Sequence, residues 1–199
     1  MTVTRIDILR HGEPEGGQKY RGHGVDDPLS ELGWRQMWAA VGNHLPWDRV
    51  VSSPMKRCRP FAEAIAERKG LPLRIDDRLR EVGFGAWEGR TGNELRTADP
   101  GAIRRFYADP LAARPAGAEP LDHFRERVSL ALQQILDSDA GRHVLVVAHA
   151  GVMRATLSWI LQIPPERMYR VDIPNAAFLR LRTDRERPAM ICLDGPSVD

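Results

Sequence analysis

Short apolar runs alternate along this chain with longer stretches in which apolar residues return every three or four positions. Residues 6–9, the pair Val50-Val51 and residues 144–147 have the length and β-branched content of buried strands. Between them, Trp34, Met37, Trp38, Val41 and Leu45 mark one amphipathic helix behind an N-capping Ser30. Met55, Cys58, Ala62 and Ile65 mark a second, predicted to start at Ser53-Pro54 with a cap and a first-turn proline, and to end at Gly70-Leu71-Pro72. Pro60 either kinks that helix or tightens its start. Residues 73–75 can form a short strand. Leu121, Phe124, Val128, Leu132, Ile135 and Leu136 mark a strong third helix, and 151–161, apolar on most sides, a buried fourth. Residues 178–181 and 190–193 can pair as closing strands. The alternation predicts an α/β three-layer sandwich, a mostly parallel central sheet with helices on both faces, in a single domain over 1–199. From 88 to 120 the text turns to mixed charge with scattered Pro and Gly, as in an insertion crossing the surface.

Composition narrows the class. With 199 residues and 42% hydrophobic content the chain can bury a full core. Its 29 Lys and Arg are interspersed with 27 Asp and Glu, so neither a nucleic-acid nor a membrane partner is expected. Cys58 and Cys192 lack metal-ligand spacing and are too few for a disulfide framework, which predicts reduced thiols and a cytoplasmic protein. No leader-like N-terminus and no membrane-length apolar run is present. Trp34, Trp38, Trp47 and Trp159 read as packing residues.

The chemistry sits where strands should surface into loops, the edge at which open α/β sheets bind ligands. Arg10-His11-Gly12 closes the first strand, Ser52-Ser53-Pro54-Met55-Lys56-Arg57 follows the second, and Ala148-His149-Ala150-Gly151 follows the strand at 143–148; Glu81 stands mid-chain in Arg80-Glu81-Val82-Gly83. A neutral imidazole attacks phosphorus competently, which makes His11 the candidate nucleophile. Phosphoryl transfer is accelerated mainly by positioning and preorganised positive charge, which Arg10, Arg57 and His149 can supply. The backbone N–H groups of Ala150 and Gly151, opening a helix, favour the same anion. Glu81 is the candidate proton donor and acceptor, with Glu13 as its competitor. Blander pairings are Arg10 with Asp7, Arg57 with Glu63, and Glu81 with Arg78 or Arg80. His11, Glu81 and His149 could in principle hold a divalent ion, but flanking guanidiniums would repel it. His23, His44, His123 and His143 read as bystanders, His23 being near enough to the nucleophile's loop to touch substrate.

These segments resemble the histidine phosphatase superfamily, of phosphoglycerate-mutase-like fold, and within it the small bacterial phosphatases of the α-ribazole phosphatase type. The resemblance rests on Arg10-His11-Gly12-Glu13, Pro28-Leu29-Ser30-Glu31-Leu32-Gly33, residues 52–57, Glu81 with Phe84-Gly85-Ala86-Trp87-Glu88-Gly89, and His149-Ala150-Gly151. It implies a phospho-His11 intermediate, Glu81 as acid and base, Arg10, Arg57 and His149 as the phosphate pocket, no metal or cofactor, and a helical flap over the active site at about 88–125. Ala150, Glu13 and Arg21 join the substrate-binding candidates. The chain departs from the family at Gly17, where many relatives carry Asn, at Ala118-Glu119-Pro120, where Gly-Glu-Ser is usual, and near Pro60-Phe61, where Thr is often found. The expected activity is hydrolysis of a small phosphomonoester, with α-ribazole phosphate one candidate. The alternatives are a mutase-type phosphoryl transfer isomerase and a noncatalytic phospholigand-binding module. The shorter insert favours hydrolysis. A homodimer is compatible with the sequence.

Overall fold

The computed structural model describes residues 3–43, 45–183 and 190–192. His44 and Leu193 therefore lie outside the described residues. Six strands form one sheet in the order β3-β2-β4-β1-β5-β6. These are β1 (Thr4–Arg10), β2 (Arg49–Ser52), β3 (Leu73–Ile75), β4 (His143–Ala148), β5 (Phe178–Thr183) and β6 (Met190–Cys192). The first four run parallel, and β5 and β6 close the sheet antiparallel, as the two C-terminal apolar runs predict.

Strand alternation sorts the core into two layers. Ile6, Ile8, Val51, Val144 and Val146 face α5 (Leu121–Ser138) and α6 (Ala150–Ile160), while Leu9, Val50, Leu145 and Val147 face α1 (Glu31–Val41) and α2 (Arg59–Lys69). β1 and β4 are buried on both faces, which is why their sequences read as continuous apolar runs. Asp7 is the exception within β1. Its carboxylate accepts from Trp47 Nε1 and His143 Nε2, both at 2.9 Å, so it has no part in holding Arg10. A buried carboxylate is tolerated only when paired this way.

Ser30 caps α1 through its hydroxyl, which accepts from the Gly33 N–H at 3.0 Å. The second helix begins later than the sequence predicts. Residues 54–58 form a turn in which the Met55 carbonyl accepts from the Cys58 and Arg59 N–H groups, and α2 starts at Arg59 with Pro60 in its first turn. The delay has a physical cause: in a helix begun at Pro54, Pro60 would fall in the interior with no N–H to give, whereas within the observed turn Arg57 points inward and donates to the carbonyls of Gly22 (2.7 Å) and Val25 (3.1 Å). Pro60 makes no kink, because its missing N–H falls where no helical bond is due.

The segment at 88–120 is more ordered than its composition suggests. Thr91 and Glu94 form a capping box at the start of α3 (Gly92–Ala98), and α4 (Ala102–Ala108) follows after a turn. Leu95 and Phe106 bury themselves with Trp87 in a small core of their own, against Tyr20, Phe84, Ile103 and Tyr169. α5 begins at Leu121, so the last residues assigned to an insert of 88–125 belong to the main layer. Among the described residues no helix is long and apolar enough to cross a membrane.

The loop leaving β1 rides on the start of α1. Ser30 donates to the Glu13 carbonyl through both its N–H (2.9 Å) and its hydroxyl (3.0 Å), and Gly12 and Gly33 pack backbone to backbone. A Cβ on Gly12 would lie 2.2 Å from the Gly33 carbonyl oxygen, and one on Gly33 would lie 2.1 Å from that of Glu13. Gly12→Ala should therefore destabilise the fold by about 1–3 kcal/mol through forced backbone displacement. Urea unfolding midpoints of the two proteins measure this, and an unchanged midpoint would show that the loop gives way freely.

Candidate active site

Parallel pairing brings the predicted segments to one edge. The register sets Arg10 opposite Ala148 and Ser52 opposite Val147, so β1, β4 and β2 end together. The ladder continues past the strands: His11 N–H donates to the Ala148 carbonyl and Ser53 N–H to the Val147 carbonyl, both at 3.0 Å. His11 and His149 consequently stand side by side, ring centroids 5.2 Å apart and edge to face.

Both imidazoles are shut away from solvent, His11 5% exposed and His149 0%. Burial, reinforced by the Arg57 and Arg10 guanidiniums, holds the pKa of His11 well below its ordinary value of 6.5; burial and Arg57 do the same for His149. Both rings are therefore neutral near pH 7. His11 Nδ1 lies 2.7 Å from the Gly12 carbonyl, and because a carbonyl only accepts, Nδ1 carries the proton and Nε2 keeps its lone pair.

Arg57 is 1% exposed and Arg10 largely buried. Arg57 spends both terminal nitrogens on carbonyls, and Arg10 donates one to the Ile173 carbonyl. The Nε of each is buried with no hydrogen-bond partner among the described residues. Neither pairs as the blander readings had it, since Glu63 is held by Arg59.

Glu81 does not pair with Arg78 or Arg80, which bind Asp76 and Asp77. Its carboxylate reaches across to α6, accepting from Gly151 N–H (3.2 Å) and from its own neighbour Val82 N–H (2.9 Å). The Gly151 N–H, expected to be open to an anion, is thus taken by Glu81. The contact needs glycine, for a Cβ there would lie 2.1 Å from Glu81 Oε1. Glu13 stands at the start of the following loop, its Oε1 3.5 Å from Ser30 Oγ. Arg21 is held by that loop itself, donating to Asp27, Glu15 O and Gly17 O. Gly17 thus enters the loop as a carbonyl for Arg21.

Several residues the motif reading passed over hold Glu81 in place. Arg127 on α5 donates to the carbonyls of Arg78 (2.6 Å), Arg80 (2.8 Å) and Glu81 (3.2 Å), and makes a two-pronged pair with Glu119. Arg114 ties the Gly83 and Glu119 carbonyls together. His23 Nδ1 lies 3.2 Å from the Glu81 carbonyl. The one signal in the sequence was Glu119, a charged residue just ahead of an apolar helical stripe. Ser53 was also missed as a site residue; its hydroxyl lies 2.8 Å from His149 Nε2.

The chain belongs to the histidine phosphatase superfamily (branch 1), whose family pattern matches residues 6–194. It is 36% identical over 180 residues to the bifunctional protein Rv2228c of Mycobacterium tuberculosis, covering 88% of this chain and 49% of that one. It thus spans about half the length of the first curated relatives it matches. It is 28% identical over 178 residues to the adenosylcobalamin/α-ribazole phosphatase of Salmonella typhimurium, covering 87% and 88% of the two chains. The mycobacterial glucosyl-3-phosphoglycerate phosphatase Rv2419c, solved as a complex with VO3, superposes with a TM-score of 0.83 at 29% identity over 95% of this chain and 97% of that one. The phosphoglycerate-mutase-like resemblance and the expected α/β layering both hold.

The two depressed histidines make stability depend on pH. Below 6.5 the unfolded chain takes up protons that the buried rings of the folded chain refuse, so this contribution to stability is intact above 6.5 and is lost as pH falls. Urea unfolding at about pH 7.5 and 5.5 should show the decline, and His149→Gln should shrink the difference between the two. An equal difference in both proteins would mean that His149 is protonated normally in the fold.

Proposed function

We propose that the protein is a phosphatase that hydrolyses small phosphomonoesters through a phosphohistidine on His11, without a metal. The observation that carries this reading is the pairing of two neutral, buried imidazoles 5.2 Å apart under the field of Arg10 and Arg57. Burial is the main cause of that neutrality, and Arg57 and Arg10 add to it; a dianionic phosphoryl group entering the same pocket is drawn by the two guanidiniums.

In the reaction, His11 Nε2 attacks phosphorus in line with the leaving oxygen. Nδ1 keeps its proton, donated to the Gly12 carbonyl, and this hydrogen bond fixes the ring's orientation. Arg10, Arg57 and His149 bind the nonbridging oxygens, and Ala150 contributes its N–H at the start of α6. Glu81 gives a proton to the departing alcohol, then takes one from the water that releases phosphate from His11. Arg127 and Glu119 keep its loop in reach of the leaving group.

The alcohol half of the substrate is selected by the loop after the nucleophile and by the insert. A cleft of about 680 Å³ lies between them, lined by Gln18, Lys19, Tyr20, Asn93, Arg96 and Tyr107. None of His11, Arg57, Glu81 and His149 lines it, so its amides, hydroxyls and cations can meet only the part of a polar ester remote from phosphorus. Phosphorylated sugars and α-ribazole phosphate both fit this description. Glu13 orders the loop's beginning, and Arg21 acts on substrate by fixing the loop's shape.

A panel of phosphomonoesters assayed in the presence of chelator should release inorganic phosphate without forming a phosphate-shifted isomer. His11→Ala should abolish both turnover and the acid-labile phosphoenzyme trapped with labelled substrate. Isomer formation matching phosphate release would replace hydrolysis by a mutase, and loss of activity to chelator would bring back a metal. In single-turnover formation of the phosphoenzyme, Glu81→Gln should slow esters with poor leaving groups by about a hundred- to ten-thousand-fold and spare activated aryl phosphates, while release of phosphate slows alike for all of them. A uniform loss across leaving groups would move the proton donor elsewhere.

A further inference from the structure

Among the described residues, two side chains lie within hydrogen-bonding distance of the His149 ring nitrogens. Ser53 Oγ is 2.8 Å from Nε2, and Cys58 Sγ is 3.6 Å from Nε2 and 3.8 Å from Nδ1. All three residues are fully enclosed. The backbone rather than chance fixes the first contact, since Ser53 is pinned to the end of β4 through the Val147 carbonyl, one strand over from His149.

The neutral ring carries one proton, and the two nitrogens compete for it. With the proton on Nε2, Ser53 accepts and Nδ1 presents a lone pair. With it on Nδ1, Ser53 donates to Nε2 and Nδ1 presents an N–H. The Cys58 thiol does not decide between them: burial pushes its pKa up, so it keeps its hydrogen, which points to the Ala148 carbonyl at 3.3 Å. Ser53 Oγ accepts from the Met55 N–H at 3.4 Å, which engages one of its two lone pairs, and giving its hydrogen to Nε2 at 2.8 Å completes its bonding. A lone pair on Nδ1 would repel a phosphoryl oxygen, whereas an N–H would bind it.

We propose that Ser53 is a positioning residue for His149: its hydroxyl donates to Nε2 and holds the imidazole in the Nδ1–H form, so that this N–H points at a nonbridging oxygen of the phosphoryl group. The proposal rests on the preceding reading, in which His149 contacts that group. Ser53 acts on the reaction only through the ring, as an orienting partner does behind a catalytic or metal-bound histidine.

The test uses the full chain with ¹⁵N-labelled histidine and saturating inorganic phosphate. The expected result at about pH 7 is a neutral His149 with its proton on Nδ1 in the wild type, and a mixture of forms in Ser53→Ala. With p-nitrophenyl phosphate, Ser53→Ala should lower kcat/KM, and weaken inhibition by orthovanadate, by about ten- to a hundredfold. Ser53→Thr, which keeps the hydroxyl, should recover most of both. In a His149→Gln background, Ser53→Ala should cost nothing further, whereas a merely structural serine would add its loss to that of the histidine. A wild-type ring protonated on Nε2 in the phosphate complex would overturn the proposal, and so would losses that multiply in the double variant. If His149→Gln alone retains full turnover, the reading of the site fails; the nitrogen shifts still report the Ser53 to His149 hydrogen bond independently.

Discussion

The parallel pairing of β1 with β4 is the constraint on which the site depends. It is a backbone interaction, indifferent to the chemistry it serves, yet its register ends Arg10 opposite Ala148 and continues through the hydrogen bond from His11 N–H to the Ala148 carbonyl. Two histidines 138 positions apart are thereby set side by side, each on the first residue beyond a strand. Both strands are buried on both faces, so a slip of one residue would turn every apolar side chain to the wrong layer. The hydrophobic core therefore fixes the distance between the two imidazoles more firmly than any contact between them.

Electrostatics then follow from position. Guanidiniums and imidazoles gathered in a dry pocket repel protons from the rings, and the fold tolerates the cost because both arginines anchor loops. Arg57 holds the loop after His11 through the Gly22 and Val25 carbonyls, and Arg10 holds the Ile173 carbonyl. Each is at once a structural tie and a source of field. Glu81 is fixed in a comparable way, its carboxylate on the Gly151 N–H and its loop on Arg127, Arg114 and Glu119. The position of Glu81 accordingly depends on the end of the insert as much as on its own segment.

The departures from the family pattern resolve into local substitutions of one tie for another. Gly17 holds a φ of 70°, a backbone conformation that suits glycine, and its carbonyl accepts from Arg21; with Pro120 in place of a hydroxyl residue α5 has no side-chain cap. Glu119, kept from the usual motif, clamps Arg127.

The strands, the four main helices and the gathering of the candidate residues at one sheet edge were legible in the sequence, because periodicity and capping are local and because open α/β sheets bring the loops that leave their parallel strands to one edge. The start of α2 was not, since Pro60 fits either a kink or a helix start and the packed chain decides which. Nor was the occupation of the Gly151 N–H by Glu81, a contact between residues 70 positions apart. The protonation state of the histidines was equally out of reach, because it comes from burial and from the charges of distant segments. The sequence by itself determined which groups are present and on which elements they ride. Tertiary structure alone decided which nitrogen faces which partner, for that depends on register and loop closure, and these are properties of the whole sheet.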